Sequence, residues 1–216
     1  MMRYSRYLTE HFKLPVAFVG TYPPQECGIA TFTCDLSDAV IKLNSKAGSY
    51  IAAISDNSYP YRYNDNVRFV IRQEDRQSYV QAAAFINASN AQVVNIQHEF
   101  GIFGWSEGDY VLSLLANLKK PIVVTLHTTI PEPSPRLKEL TQIICGYATK
   151  VVGLTQKSVE LLRKVYEINP DKLTAIYHGV PNVRKMPTYR FKKVLGLAER
   201  KVLSTFGLIN RSKGIE

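Results

Sequence analysis

"VAFVGTYPPQECGIATFT", residues 16 to 33, holds the pattern from which the rest of the fold follows. Residues 16 to 20 are apolar throughout, as in a strand that is buried on both faces of a parallel sheet. Beyond Gly28, large apolar residues recur at helical spacing: Ile29, Phe32, Leu36, Val40 and Leu43. The stretch therefore predicts a strand, a proline-containing loop and a helix whose N-terminus lies beside that loop.

The same succession of strand and helix recurs along the chain. Apolar runs predict strands over residues 16–20, 50–54, 67–71, 92–97, 122–127, 150–154, 173–178 and 201–207. Between them, N-cap residues predict helix starts: Ser106 with Asp109 three residues later, Ser134 before Pro135, and Thr155. This alternation predicts the α/β class, with a Rossmann-like, doubly wound parallel sheet.

Composition indicates an ordinary globular protein. The chain has 216 residues, 45% hydrophobic and 21% charged, and no apolar run approaches the roughly 20 residues that cross a bilayer. The first residues lack the apolar core of a secretory signal. The three cysteines have no metal-ligand spacing, so we expect reduced thiols in a cytoplasmic protein.

Positive charge collects late in the sequence. The formal net charge is +9, and the residues from Arg184 to Lys213 are mostly basic where they are charged. Such a stretch attracts phosphates, nucleic acid or an anionic membrane surface, although a solvated linker is the commoner case and the one we favour. Residues 1–182 are predicted to form one domain, 183–200 a linker, and 201–216 the first strand and loop of a second domain that the chain does not complete.

Ligands of open parallel sheets bind outside the carboxyl ends of the strands. Gly28 lies there, at a predicted helix N-terminus whose free backbone N–H groups attract anions. The G-x-G-x-x-G pattern is absent, and no P-loop lysine follows the glycine. A turn that needs glycine for its geometry, followed by a buried amphipathic helix, is therefore the interpretation that this stretch alone slightly favours.

Three of the four histidines fall at predicted strand ends: His98, His127 and His178. One such histidine is commonly a hydrogen-bonded core residue, but three at one edge suit contact with sugar hydroxyls or phosphates, or acid–base chemistry. No HExxH motif occurs and no cysteine lies near them, so a metal site is not predicted.

The segment "HEFGIFGW", residues 98 to 105, adds aromatic and carboxylate side chains after one of these strands. We expect His98, Glu99, Phe103 and Trp105 to recognise a polyol, with a hydrophobic plug over the sheet edge as the alternative for Phe100 and Phe103. Glu26 and Glu132 are the remaining acid–base candidates near this edge. No G-x-S-x-G elbow supports a serine nucleophile.

Six segments, taken in order, resemble the retaining GT-B-fold glycosyltransferases of family 4, which include bacterial mannosyl- and glucosyltransferases. They are "PPQECGIATFT", "IQHEFGIFG", "VVTLHTT", "VVGLTQKS", "IYHGV" and "LSTFGLINRSKGIE". The resemblance implies two Rossmann-like domains around a cleft. The first domain would bind the acceptor and the second, largely beyond residue 216, the nucleotide-diphosphate sugar, of GDP-mannose or UDP-glucose type, without a cofactor.

The resemblance also implies roles for individual residues. Gly28 would bring its backbone to the donor phosphate, His127 would contact the donor sugar as the catalytic residue, and Lys213 would hold the diphosphate. Leu208 stands where the family usually has an arginine, and Arg211 is expected to reach the same phosphates. Catalysis would rest on positioning and charge stabilisation, in agreement with the missing nucleophile.

Two other functions stay open on the sequence. A sugar-nucleotide epimerase of the same fold would share the strand-end histidines but bind no separate acceptor. A basic nucleic-acid-binding module would use the late charge, yet no recognition motif accompanies it, so nucleic acid is not an expected partner. The expected acceptor is a glycan or a lipid-linked sugar at the cytoplasmic face of a membrane, and the segment from Tyr4 to Phe12 is expected to pack on the second domain or to touch the membrane surface.

Overall fold

The computed structural model describes residues 14–43, 46–56, 58–180, 183–184 and 186–205. The chain divides into two compact units, one ending at His178 and the other beginning at Gly179. The division falls a few residues before the predicted end of the first domain at residue 182.

The first unit is built on a seven-stranded sheet in which all neighbouring strands are parallel. The strands are β1 (Val16–Gly20), β2 (Tyr50–Ser55), β3 (Val67–Arg72), β4 (Val93–His98), β5 (Ile122–Leu126), β6 (Lys150–Gly153) and β7 (Leu173–Ala175). Their order is β3-β2-β1-β4-β5-β6-β7. The order reverses between β1 and β4, which is the switch point where such sheets bind ligands. The predicted Rossmann-like α/β fold is confirmed.

Helices connect all consecutive strands except β2 and β3, between which the described residues form no helix. They are α1 (Gly28–Leu43), α2 (Arg76–Ala88), α3 (Val111–Leu115), α4 (Pro135–Tyr147) and α5 (Gln156–Lys164), and the second unit contains α6 (Thr188–Val194). None of the helices in the described part of the chain combines the length and the apolarity that a bilayer crossing requires.

The central strands are buried as predicted, and the outer strand β3 is not. Every residue of β1 and β2 is buried, whereas along β3 only Ile71 is. The strand predicted for residues 67–71 is present, but one of its faces is left exposed. The reason is position, because β3 is the last strand at its end of the sheet.

Two of the three predicted helix caps are confirmed. The hydroxyl oxygen of Ser134 accepts a hydrogen bond from Leu137 N at 3.2 Å, and that of Thr155 accepts one from Ser158 N at 2.9 Å. Ser106 instead opens a single 3-10 turn, and α3 begins only at Val111. Left-handed backbone at Glu107 (φ 56°) interrupts the helix there.

Helix α1 faces the sheet with small residues rather than with its large apolar ones. Ala30, Thr33 and Ser37 are its buried residues. A Cβ added to Gly20 of β1 would lie 2.9 Å from Thr33 Oγ1, which shows how closely helix and strand approach. The predicted apolar stripe from Ile29 to Leu43 therefore flanks the contact, with Leu43 37% exposed.

The second unit differs from its prediction. Helix α6 lies inside the stretch 183–200 that the sequence indicated as a linker of little periodicity. Residues 201–205 have no regular structure, and 206–207, the rest of the predicted strand, lie outside the described residues.

Candidate active site

The candidate site lies at the carboxyl edge of β1, β4 and β5, around the switch point. His98 ends β4 and His127 follows β5, and the two are joined by a backbone hydrogen bond from His127 N to His98 O at 3.0 Å. Gly28 is the first residue of α1 after β1. The sheet therefore brings the predicted catalytic and phosphate-facing residues to one edge.

His127 is held by a buried amide on the neighbouring strand. Its Nε2 lies 2.9 Å from Gln97 Oε1. The Gln97 amide nitrogen donates to Asn95 Oδ1 and, at 3.5 Å, to Thr125 Oγ1, so the Gln97 oxygen is left as an acceptor. His127 Nε2 therefore carries the proton, and Nδ1 keeps a lone pair for a ligand.

Burial keeps His127 neutral. Loss of solvent, helped by the neighbouring His178, lowers the pKa of His127 from 6.5 to about 4. At neutral pH this imidazole exchanges hydrogen bonds or accepts a proton, but it does not supply positive charge to a phosphate.

Helix α1 contacts both His127 and His178 through Phe32. The Phe32 ring meets His127 edge to face at a centroid separation of 4.7 Å and His178 at 5.2 Å. The two imidazoles are 6.4 Å apart. The first turns of α1 and the segments that follow β5 and β7 therefore form one cluster.

His98 occupies the interior rather than the surface of this edge. It is 1% exposed, stacked on Phe103 at 5.3 Å and set edge-on to Phe100 at 5.0 Å. Neither ring nitrogen has a hydrogen-bond partner among the described residues, and burial lowers the pKa of His98 to about 3. Phe103 is 2% exposed.

Because both side chains are buried, the prediction that His98 and Phe103 contact the acceptor is wrong. Side chains without exposed surface cannot touch an acceptor in this packing. The hydrophobic plug, which the sequence left as the alternative for Phe103, is the arrangement found.

Glu99 and Trp105 remain at the surface of the segment. The Glu99 carboxylate accepts a hydrogen bond from Phe100 N at 3.1 Å and one from the Thr128 hydroxyl at 2.5 Å, which ties the loop after β4 to the loop after β5. Trp105 is 67% exposed and stacks on Tyr110 at 6.1 Å. Their roles towards an acceptor stay predictions.

The geometry of the loop after β1 does not require Gly28. Its φ is not positive, and a Cβ added there would meet nothing within 4 Å. The turn is capped instead by Cys27, whose sulfur accepts a hydrogen bond from Ala30 N at 3.3 Å. Glycine leaves the exposed N-terminus of α1 open to a close approach from outside the unit.

A cleft of about 660 Å³ adjoins this N-terminus. The loops after β1, β2, β3 and β4 line it with Pro24, Gln25, Glu26, Cys27, Asp56, Tyr59, Tyr61, Gln73, Gly101 and Ile102. Of these, the sequence indicated only Glu26 as a candidate. The signal that could have found more is the tyrosine-rich segment "SYPYRY", residues 58–63, directly after β2.

The remaining predictions receive no test from the geometry. Arg211 and Lys213 lie outside the described residues. Among the residues that the structure describes, no group of three or more histidine, cysteine or acidic side chains is arranged to hold a metal ion.

Comparison with known proteins agrees with this fold. The chain matches Glycosyltransferase Family 4 over residues 55–184, which is more than half of its length, and it belongs to that family. A glycosyltransferase from Rickettsia africae ESF-5 has a similar structure, with a TM-score of 0.55 and 15% identity. The similarity covers 85% of this chain and 50% of that one, so the chain spans about half the length of its structural relative. No curated protein matches.

Proposed function

We propose that this chain is the acceptor-side half of a two-domain enzyme. The enzyme moves a hexose from a nucleotide-diphosphate sugar to a hydroxyl acceptor and retains the anomeric configuration. Family membership supports transfer chemistry over the epimerase, and together with the Rossmann-like sheet it supports an enzyme over the nucleic-acid module. In this proposal the donor is of GDP-mannose or UDP-glucose type, no cofactor or metal takes part, and the enzyme works in the cytoplasm.

The observation that carries the proposal is an oriented, neutral His127 beside the open N-terminus of α1. Gln97 fixes the imidazole with Nδ1 as its free acceptor, which suits a hydroxyl of the donor sugar. The exposed Gly28 allows a phosphate oxygen to approach the first backbone N–H groups of the helix.

Because its pKa is low, His127 cannot stabilise the charge of the leaving diphosphate, and other groups must do so. The leaving diphosphate gains negative charge, which a neutral imidazole cannot balance. That charge must be met by the helix N-terminus and by cations, for which we propose Lys213 and Arg211. His127 then positions the sugar, and no side chain of this chain acts as a covalent nucleophile.

A donor screen on the two-domain enzyme tests the proposal. Each nucleotide-diphosphate sugar is incubated with and without candidate acceptors, and nucleotide release is measured. We expect release that depends on one donor type and rises with an acceptor. Release that no acceptor increases, together with interconversion of the sugar, would support the epimerase instead.

A further inference from the structure

The cleft beside Gly28 has a rigid base. Gln73 N donates to Ser55 O at 2.8 Å, and the buried Tyr79 hydroxyl donates to Gln73 O at 2.9 Å while accepting from Gly104 N at 3.0 Å. The Gln73 side chain donates to Gly101 O at 3.3 Å. These bonds join the loops after β3 and β4, so this part of the cleft is formed before any ligand arrives.

Two tyrosines provide aromatic surface. The rings of Tyr59 and Tyr61 lie 5.9 Å apart at 57°, and Tyr59 is 66% exposed. The Tyr61 hydroxyl lies 3.1 Å from the Ser58 hydroxyl, which donates to Asp56 Oδ1 at 2.8 Å. The faces of such rings carry partial negative charge, which attracts the C–H face of a sugar and repels an anion.

The polar groups of the cleft are rich in acceptors. Glu26 and Asp56 contribute carboxylates, and hydrogen bonds from Ser58 lower the pKa of Asp56, which keeps it ionised. Carboxylate and amide oxygens accept hydrogen bonds from hydroxyl groups, whereas an anionic group offers them no proton.

Positive charge does not offset these carboxylates. The described residues that line the cleft include no lysine, arginine or histidine. Arg72, which precedes Gln73, is paired with the Asp75 carboxylate, and Arg62 is not among the lining residues. An anionic ligand would therefore meet two negative charges without a basic side chain among the described residues that line the cleft.

We propose that the cleft binds a neutral sugar ring of the acceptor, packed on Tyr59 and Tyr61 with its hydroxyls donating to Glu26 and Asp56, and that it disfavours acceptors whose binding group is a phosphate or a uronic acid. The inference rests on the proposed function and specifies the acceptor of that same site. It favours a glycan over a lipid phosphate as the group that enters the cleft.

The test uses the 216-residue chain itself. Methyl glycosides of mannose, glucose and galactose are compared with their uronic acid counterparts by saturation-transfer NMR. We expect at least one neutral sugar to bind on the order of tenfold more tightly than its uronic acid, a difference of about 1.4 kcal/mol, because like charges at contact distance repel. The double variant Glu26→Gln with Asp56→Asn should remove most of this preference, while the amide at position 56 still accepts from Ser58.

Matched aromatic variants complete the test. Tyr59→Ala should weaken binding of the neutral sugar about fivefold, since it removes a stacking face, and Tyr59→Trp should restore binding. Tyr147→Ala, at an exposed tyrosine of α4 away from the cleft, should change nothing.

Equal or tighter binding of the uronic acids, or binding of no sugar in the panel, would overturn the inference. Such a result leaves donor-dependent nucleotide release by the two-domain enzyme intact, whereas loss of that release leaves sugar binding by this chain measurable. The two proposals therefore fail separately.

Discussion

At the scale of single residues, His127 depends on a partner that the sequence did not reveal. Its place after an apolar strand was visible in the order of residues. Gln97 looked like one more member of the run "VVNIQH", because its bond to His127 follows from the register between β4 and β5. The residue was predictable, and its tautomer and low pKa were not.

A carboxylate in place of this amide should raise the pKa of His127. In Gln97→Glu an ionised acceptor replaces a neutral one beside Nε2, and an adjacent negative charge favours the protonated imidazole. We expect the pKa to rise from about 4 by one to two units, measured by NMR titration of the chain. The neutral variant Gln97→Met should stay near the wild-type value, and an unchanged pKa in Gln97→Glu would refute the contact.

His98 should make the fold sensitive to acid. Its pKa is about 3 in the folded chain against an ordinary 6.5, so the unfolded chain takes up a proton first as the pH falls. Each such proton lowers the free energy of unfolding by about 1.4 kcal/mol per pH unit. This loss begins as the pH falls through about 6.5 and ends near 3.

His98→Leu removes this titration and leaves no hydrogen bond unmade, since both ring nitrogens lack described partners. In urea unfolding between pH 6.5 and 4, the free energy of unfolding of the variant should fall less steeply than that of the wild type. The difference should be up to about 1.4 kcal/mol per pH unit, the effect of one proton. Parallel pH profiles for variant and wild type would contradict the buried, neutral state.

At the scale of elements, the strands were predicted well because a fully buried strand needs apolar side chains on both faces. Predictions of helices failed where packing against a neighbouring element or local backbone geometry determines the structure. The sheet-facing side of α1 depends on the absent side chain of Gly20, and the helix expected from Ser106 is delayed by the backbone at Glu107. The acceptor contacts predicted for His98 and Phe103 failed for the same reason, since the apolar side chain of Phe103 was as suited to the core as to a ligand.

Gly20, which ends β1, and Gly28, which begins α1, should respond in opposite ways to replacement by alanine. Gly28→Ala adds a Cβ in open space and should stabilise the chain by up to about 1 kcal/mol. Gly20→Ala places a Cβ 2.9 Å from Thr33 Oγ1 and should destabilise it by about 1–3 kcal/mol. Urea unfolding measures both, and a loss of stability in Gly28→Ala would show that the turn needs its glycine after all.

At the scale of the whole molecule, the chain spans about half the length of its structural relative. The proposal assigns most donor contacts to the other half and leaves to this chain the α1 N-terminus, His127 and the phosphate contacts of Arg211 and Lys213. Sequence resemblance carried this division of labour, and no contact within the described residues could have supplied it.

The isolated chain should therefore bind nucleotide-diphosphate sugars weakly or not at all. Calorimetry with GDP-mannose and UDP-glucose measures this, and we expect dissociation constants no tighter than the millimolar range. Submicromolar binding would place the donor pocket in this chain and contradict the assignment to the other half.

The most direct test is the transfer rate of the two-domain enzyme with His127→Ala. A positioned hydrogen-bonding group at the reacting sugar is worth about a hundredfold or more in rate, so we expect at least that loss with a native circular dichroism spectrum. Thr129→Val serves as the matched control in the same loop, because the Thr129 hydroxyl has no hydrogen-bond partner among the described residues. Transfer at the wild-type rate by a natively folded His127→Ala enzyme would contradict the role given to His127.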